Sequence, residues 1–306
     1  MHAHAADFPA ARRPLARRLQ LLFCGVLVLA GAFGLRPALA AADRPAVRVV
    51  SQTVGSDELV LALAAPEQIA ALSALSREAV YSAVAREAAA YPQLPRTGDV
   101  ESILKYSPTL MICADYSRAE LVEQVRRLGV KVIVLTRYYT IEDAFANLRL
   151  IARELGPDAE TRAERIIADG EARMKVLRER LHGVKSVRVI APSTYGIIPG
   201  DKSTFQDLCD HAGAENLAST LGGLHGHAPA PNEQIMSWPI EVVVVAGDDL
   251  DSALKPYRGL PPYQFLSAVR EGRAVLIEPW QLSCVTHHRI AGYERLAREL
   301  HPEAFR

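Results

Sequence analysis

Apolar residues along this chain fall into short unbroken runs and longer stripes of helical period. Runs at 47–50, 110–114, 130–135, 186–190, 242–245 and 274–277 are bounded by turn residues or charges, and predict short buried strands. Helical spacing covers 57–64, 119–128, 158–182, 204–212 and a last segment ending near Leu300. The stretch 158–182 places Ala163, Ile166, Ile167, Met174, Leu177 and Leu181 along one stripe with charges between them. At about 1.5 Å per residue, a helix of that length spans about 37 Å, enough to run along the back of two lobes.

One pattern occurs twice. Glu101-Ser102-Ile103-Leu104 leads through Pro108 into the run at 110–112, and Glu233-Gln234-Ile235-Met236 leads through Pro239 into the run at 242–245. Self-similarity at so long a period indicates two lobes built alike, whereas solenoid repeats recur every few tens of residues. Strand, turn and helix open each half, the order of an α/β unit. The expected fold is therefore α/β, with two similar Rossmann-like lobes of largely parallel sheet bridged by a single long helix. The boundaries are 41–156 for the first lobe, 157–183 for the connecting helix and 184–306 for the second lobe. Ligands of parallel sheets gather at the carboxyl ends of the strands, so the turns after the strands should line a cleft between the lobes.

The N-terminal segment changes the picture of where the protein works. Arg12, Arg13, Arg17 and Arg18 precede an apolar run at 19–35, and Ala38-Leu39-Ala40 supplies the small residues of a cleavage site. Residues 1–40 read as an export signal cleaved near Ala40. The rival reading is a retained anchor, which Gly25, Gly31, Gly34 and Arg36 disfavour by interrupting the run. Secretion by the general or the twin-arginine route is left open by Arg12-Arg13. Removing residues 1–40 takes five arginines and Asp7 from 35 basic and 35 acidic residues, leaving 30 and 34 and a net charge of −4. No basic patch for nucleic acid is indicated. Cys113, Cys209 and Cys284 then face an oxidising compartment. Cys113 lies in an apolar strand as a small hydrophobe, and Cys209 with Cys284 is the pair open to a disulfide.

Aromatic residues concentrate in the turns that should line the cleft. Tyr116 follows the strand ending at Ala114, Tyr138 and Tyr139 follow the one ending at Leu135 beside Arg137, and Tyr195 follows the one ending at Ala191. Trp280 follows the last strand. Flat amphipathic rings suit a large planar or polycyclic ligand, phenolate oxygen is a known iron donor, and Arg137 can meet a carboxylate through its fork. Ser51 in the first turn and His287 near the end complete the expected lining. One or two of these rings packing under a loop, and Arg137 in a structural ion pair, are the plainer alternatives. His225, His227, His287 and His288 cluster late; they fit a metal site, contact with a bound ligand or solvated loops, and none has the spacing usual for zinc. Gly196 to Ser203 resembles a phosphate loop but lacks a glycine before Lys202, so it reads as a turn capped by Ser203 or Thr204. No Gly-x-Ser-x-Gly elbow, paired-carboxylate signature or metalloprotease helix is present, and the chain is expected not to be an enzyme.

Taken in order, Arg48-Val49-Val50-Ser51, Gly98-Asp99-Val100-Glu101-Ser102-Ile103-Leu104, Leu128-Gly129-Val130-Lys131-Val132 and Ala212-Gly213-Ala214-Glu215-Asn216-Leu217-Ala218 resemble a known family over essentially the whole mature chain. It is that of the periplasmic substrate-binding proteins of ABC importers for ferric siderophores, haem and cobalamin. The resemblance implies modest closure about a rigid helix, no intrinsic cofactor, a monomer and a bound metal chelate. It further implies docking of one glutamate per lobe, Glu101 and Glu233, on the membrane permease that works with its ATPase. Asp99 stands after Gly98 where haem-binding members carry a tyrosine, and the mature chain has two tryptophans, Trp238 and Trp280, where cobalamin-binding members present more. A ferric siderophore is therefore the first expectation, with haem or cobalamin as alternatives. A periplasmic enzyme or a sensor module would use the same cleft for a different end.

Overall fold

A computed structural model describes residues 46–306, so the expected export signal at 1–40 lies outside the described residues. The first lobe carries β1 (Val49–Ser51), β2 (Ile69–Ala71), β3 (Leu110–Ala114) and β4 (Lys131–Leu135) in the order β2-β1-β3-β4, every pair parallel. The second carries β5 (Val187–Ile190), β6 (Ile197–Pro199), β7 (Ala214–Asn216), β8 (His227–Pro229), β9 (Val242–Ala246) and β10 (Ala274–Ile277). Its main sheet is β7-β5-β9-β10, again parallel throughout, while β6 and β8 form an antiparallel ribbon outside it. Counting only the four sheet strands of each lobe, both orders are second, first, third, fourth. The internal duplication predicted from the two glutamate patterns is thus a duplication of topology.

Helices alternate with these strands: α1 (Val54–Leu63), α2 (Ala85–Ala88), α3 (Val100–Leu104), α4 (Ala119–Arg127), α5 (Ile141–Leu155), α6 (Pro157–Leu181), α7 (Thr204–Ala212), α8 (Leu217–Thr220), α9 (Leu250–Leu254), α10 (Ser267–Arg270), α11 (Pro279–Ser283) and α12 (Arg289–Leu300). Helix α5 is not anticipated from the sequence, although Thr140 caps it and Ile141, Ala144, Phe145, Leu148 and Ile151 form its buried stripe. The segment after β10 contains α11, with Pro279 at its first turn.

The repeat also holds in detail. Strands β3 and β9 each begin nine residues after Glu101 and Glu233, and Ile103 and Ile235, two positions on from each glutamate, are completely buried. Burying an isoleucine in this way stabilises by about 1.5–3 kcal/mol. The copies differ in one respect: Asp99 caps a true α-helix through reciprocal bonds with Ser102, whereas Gln234–Ser237 is a single 3-10 turn with no side-chain cap.

Helix α6 binds the lobes together along 25 residues. Its buried face is Ala159, Ala163, Ile167, Gly170, Met174 and Leu177, a helical stripe. Gly170 sits where both lobes press on the helix: a Cβ there would lie 2.8 Å from Ile290 of α12 and 2.9 Å from Phe145 of α5. Towards its start Arg162 donates to the Leu63 carbonyl of the first lobe, and further on Arg173 forms a bidentate pair with Glu294 of the second at 3.0 and 2.8 Å. One hydrophobic cluster runs from Val49 through this helix to Val189 and Tyr293, and residues 46–306 form one compact unit across both lobes. Cys113, Cys209 and Cys284 are buried and free, so the disulfide considered for Cys209 and Cys284 is not formed.

Candidate functional site

A cavity of about 740 Å³ opens at the carboxyl ends of the first-lobe strands. Its walls include Gln52 and Thr53 after β1, Ser73 and Ala74 after β2, Tyr116 and Arg118 after β3, Tyr81, and the segment from Leu94 to Gly98. The second lobe contributes Ser283, Cys284 and Val285. That size lies within the range of small-molecule sites, about 300–1,000 Å³.

Local chemistry explains why these turns are ordered. Thr53 and Ser56 cap α1 reciprocally two residues after β1 ends, and Thr140 and Asp143 do the same for α5 five residues after β4 ends. The polar, exposed part of the wall is Tyr81, Tyr116, Arg96 and Arg118, with Tyr116 showing 68% of its surface. Arg118 donates to the Gly98 carbonyl and Arg96 pairs with Glu78, each at 2.5 Å, which leaves other guanidinium N–H groups for a ligand.

Beneath this wall lie two adjacent acids. Asp57 is completely buried and accepts from the Ser73 amide at 3.0 Å and from its hydroxyl at 2.5 Å. Burial outweighs those bonds and raises its carboxyl to about 7. Glu58 is also raised by burial, and it accepts from the Ala83 amide at 3.0 Å and from Thr286 of the second lobe at 2.5 Å. Beside it, burial and the neighbouring Glu58 push the Cys284 thiol up to about 12, so it stays protonated. The lobes also touch at Gly55, whose missing Cβ leaves room for Val285.

Among the eight residues expected to line the cleft, Tyr116 alone lines this cavity. Ser51 is buried and donates to Ser56 at 2.7 Å, serving the cap of α1. Tyr138 stands one layer back: its hydroxyl donates to Asp115 at 2.9 Å, and its ring meets Tyr116 edge-on at 6.1 Å and Tyr139 at 4.9 Å. Arg137 is paired with Asp143 at 2.9 Å, the structural ion pair named as its alternative. Tyr195 is 88% exposed on the second lobe, and Trp280 donates its indole N–H to Glu278 at 2.7 Å. Neither belongs to the lining.

The late histidines divide into two settings. His225 is exposed and contacts Asp201 at 2.5 Å, and His227 is exposed on β8. The rings of His287 and His288 lie 4.1 Å apart and tilted, and burial together with His288 lowers His287 to about 3, keeping it neutral. Among the described residues no group of three or more His, Cys, Asp and Glu side chains is placed to hold a metal ion. Sequence reasoning missed Arg96, Arg118, Glu58 and Thr286. Arg118 was within reach of it, two residues beyond Tyr116 in a predicted strand-end turn; Arg96 carries no such signal.

Comparisons with known proteins agree with this architecture. The sequence model of the family described as periplasmic binding protein matches residues 49–279. No match was found among curated proteins. Of solved structures, the apo periplasmic heme-binding protein RhuT from Roseiflexus sp. RS-1 is 20% identical, covering 85% of this chain and 99% of that one at a TM-score of 0.72. The periplasmic heme-binding protein HutB of Vibrio cholerae is 20% identical over 84% of this chain and 99% of that one, at 0.69. Helicobacter pylori CeuE, solved as a Ni-His complex, is 16% identical over 86% and 85%, at 0.68. Identities this low establish a shared fold alone.

Proposed function

This chain belongs to the periplasmic binding protein family, and from that premise we propose that it captures an anionic iron chelate outside the inner membrane and delivers it to an ABC permease. The observation that carries the reading is the pairing of two phenols, Tyr81 and Tyr116, with two guanidinium groups, Arg96 and Arg118, around one cavity of about 740 Å³. Guanidinium forks match carboxylate and catecholate oxygens, and aromatic faces cover flat ligand surface at low entropic cost. A ferric siderophore bearing negative charge suits that combination. Haem is the second reading, favoured by the same phenols as oxygen donors to iron and by arginines suited to its propionates. The similar solved haem-binding proteins support it from outside the chain.

Delivery rests on the duplicated glutamates. Glu101 and Glu233 are exposed at equivalent places of the two lobes, each anchored by a buried isoleucine, and so form a matched pair for arginines of a two-fold permease driven by its ATPase. The leader at 1–40 supports a periplasmic location for the mature protein, acting as a monomer.

The test is a titration of the mature protein, followed by intrinsic fluorescence, with haemin, ferric citrate, a ferric tris-catecholate, a ferric hydroxamate and cyanocobalamin. Saturable sub-micromolar quenching by an iron chelate is expected. Tyr116→Ala and Arg118→Ala should each weaken it by about tenfold, or about 1.4 kcal/mol. Binding of cobalamin alone, or of none of the five, would overturn the reading.

A further inference from the structure

Arg289 is a buried cation in a place that local rules disfavour. It is 2% exposed and occupies the first turn of α12, where the helix dipole opposes positive charge. Its guanidinium is nevertheless fully engaged by three segments. Nε and Nη2 donate to the Cys284 carbonyl at 3.1 and 2.7 Å. Across the lobe boundary, Nη1 donates to the Tyr139 carbonyl at 2.8 Å and Nη2 to that of Tyr138 at 3.3 Å. Asp207 of α7 supplies the counter-charge at 3.0 Å and also accepts from the Tyr293 hydroxyl.

One arm of this fork holds a residue of the cavity wall, and the other holds a residue directly behind that wall. Cys284, held through its carbonyl, is part of the second-lobe wall. Tyr138, held through its carbonyl, backs Tyr116 edge-on and is tied to the same strand-end turn by its bond to Asp115. From the other side, α5 grips the loop by Asn147, which donates to the Arg137 carbonyl at 2.7 Å, and by Asp143, which accepts from the Tyr139 amide at 3.1 Å. The loop therefore stands between α5 of its own lobe and a single side chain of the other.

Resting on the assignment of this cavity as the ligand site, we infer that Arg289 is a positioning residue for ligand binding: it fixes the Tyr138–Tyr139 loop behind Tyr116 and the Cys284 wall opposite, setting the spacing of the two lobes around the chelate. A lysine cannot reproduce this role. Its ammonium keeps the charge beside Asp207 but lacks the planar fork that reaches two carbonyls of one lobe and one of the other.

The experiment uses the mature protein labelled with 3-fluorotyrosine, with the Tyr116 resonance identified by its loss in Tyr116→Phe. Affinities for haemin and a ferric tris-catecholate are measured in parallel. Arg289→Lys should shift and broaden the Tyr116 resonance, leave that of the remote, exposed Tyr195 unmoved, and weaken binding by about tenfold. Tyr138→Phe, which cuts the link to Asp115 without touching the buried cation, should move the same resonance by less and weaken binding by less; it carries the test should Arg289→Lys fail to fold. Weaker binding in Tyr116→Ala with normal binding and an unmoved Tyr116 resonance in Arg289→Lys and Tyr138→Phe would overturn the positioning role while leaving the cavity assignment intact. Unchanged affinity for both probes in Tyr116→Ala would overturn the cavity assignment itself and the positioning role with it.

Discussion

Glu58 and Thr286 stand 228 positions apart in the chain and meet at 2.5 Å, the threonine hydroxyl donating to a carboxyl buried under the cavity. A buried acceptor of this kind makes its donor costly to remove. Thr286→Val should lower stability by about 1–3 kcal/mol in chemical denaturation. In a Glu58→Gln background the same change should cost less, with a coupling above about 0.5 kcal/mol. Strict additivity of the two substitutions would show that the lobes are not joined through this bond.

The neighbouring contact is steric. A Cβ on Gly55 would lie 2.3 Å from Val285 Cγ2, so Gly55→Ala forces the second-lobe loop away from α1. The expected cost is about 1–3 kcal/mol, as for other overpacked sites. Adding Val285→Ala should restore most of it, because the methyl in the way is then gone. Equal melting temperatures for Gly55→Ala and wild type would contradict the close approach.

The fold was largely legible because its signals are local. Uninterrupted apolar runs marked β3, β9 and β10, and a stripe from Ala163 to Leu177 marked the bridging helix. The missed α5 had a readable cap and stripe, but adjoining α6 across Gly156 hid it between two stronger segments. The site was less legible, since its walls are assembled by tertiary packing. Tyr116 was found from strand-end logic, whereas Glu58 and Thr286 become partners only when the lobes dock. Tyr195, placed by the same logic, is exposed two residues before β6 of the β6–β8 ribbon, an element unseen in the sequence.

Asp57 gives the protein a defined pH response. Its folded carboxyl titrates near 7, against about 3.9 in an unfolded chain, so the folded state holds a proton that the unfolded state has lost between these values. The contribution is full below about pH 4 and is lost as pH rises through about 7, at most about 4 kcal/mol over that window. His287 acts oppositely: with its folded value lowered to about 3 from about 6.5, its contribution is present above about 6.5 and lost as pH falls towards 3. Relative to Asp57→Asn, wild type should therefore lose stability from pH 4 to 7. Relative to His287→Gln, it should gain stability from pH 3 to 6.5. Parallel melting profiles of wild type and Asp57→Asn across that range would refute the buried neutral acid.

On the proposed docking, the two glutamates separate binding from delivery. Glu101 and Glu233 are exposed and lie outside the cavity lining, so replacing both with alanine should change stability by no more than about 0.5 kcal/mol each. Chelate affinity in solution should stay at the wild-type value. Stimulation of the reconstituted permease ATPase, and uptake of the iron chelate by cells, should fall sharply, because both lobes lose the charge proposed to set register on the permease. Raising ionic strength should weaken wild-type stimulation in the same direction and have little effect on what remains in the double variant. If the double variant lost affinity for the chelate, the glutamates would belong to the ligand site; if it stimulated the permease normally, docking would lie on another surface.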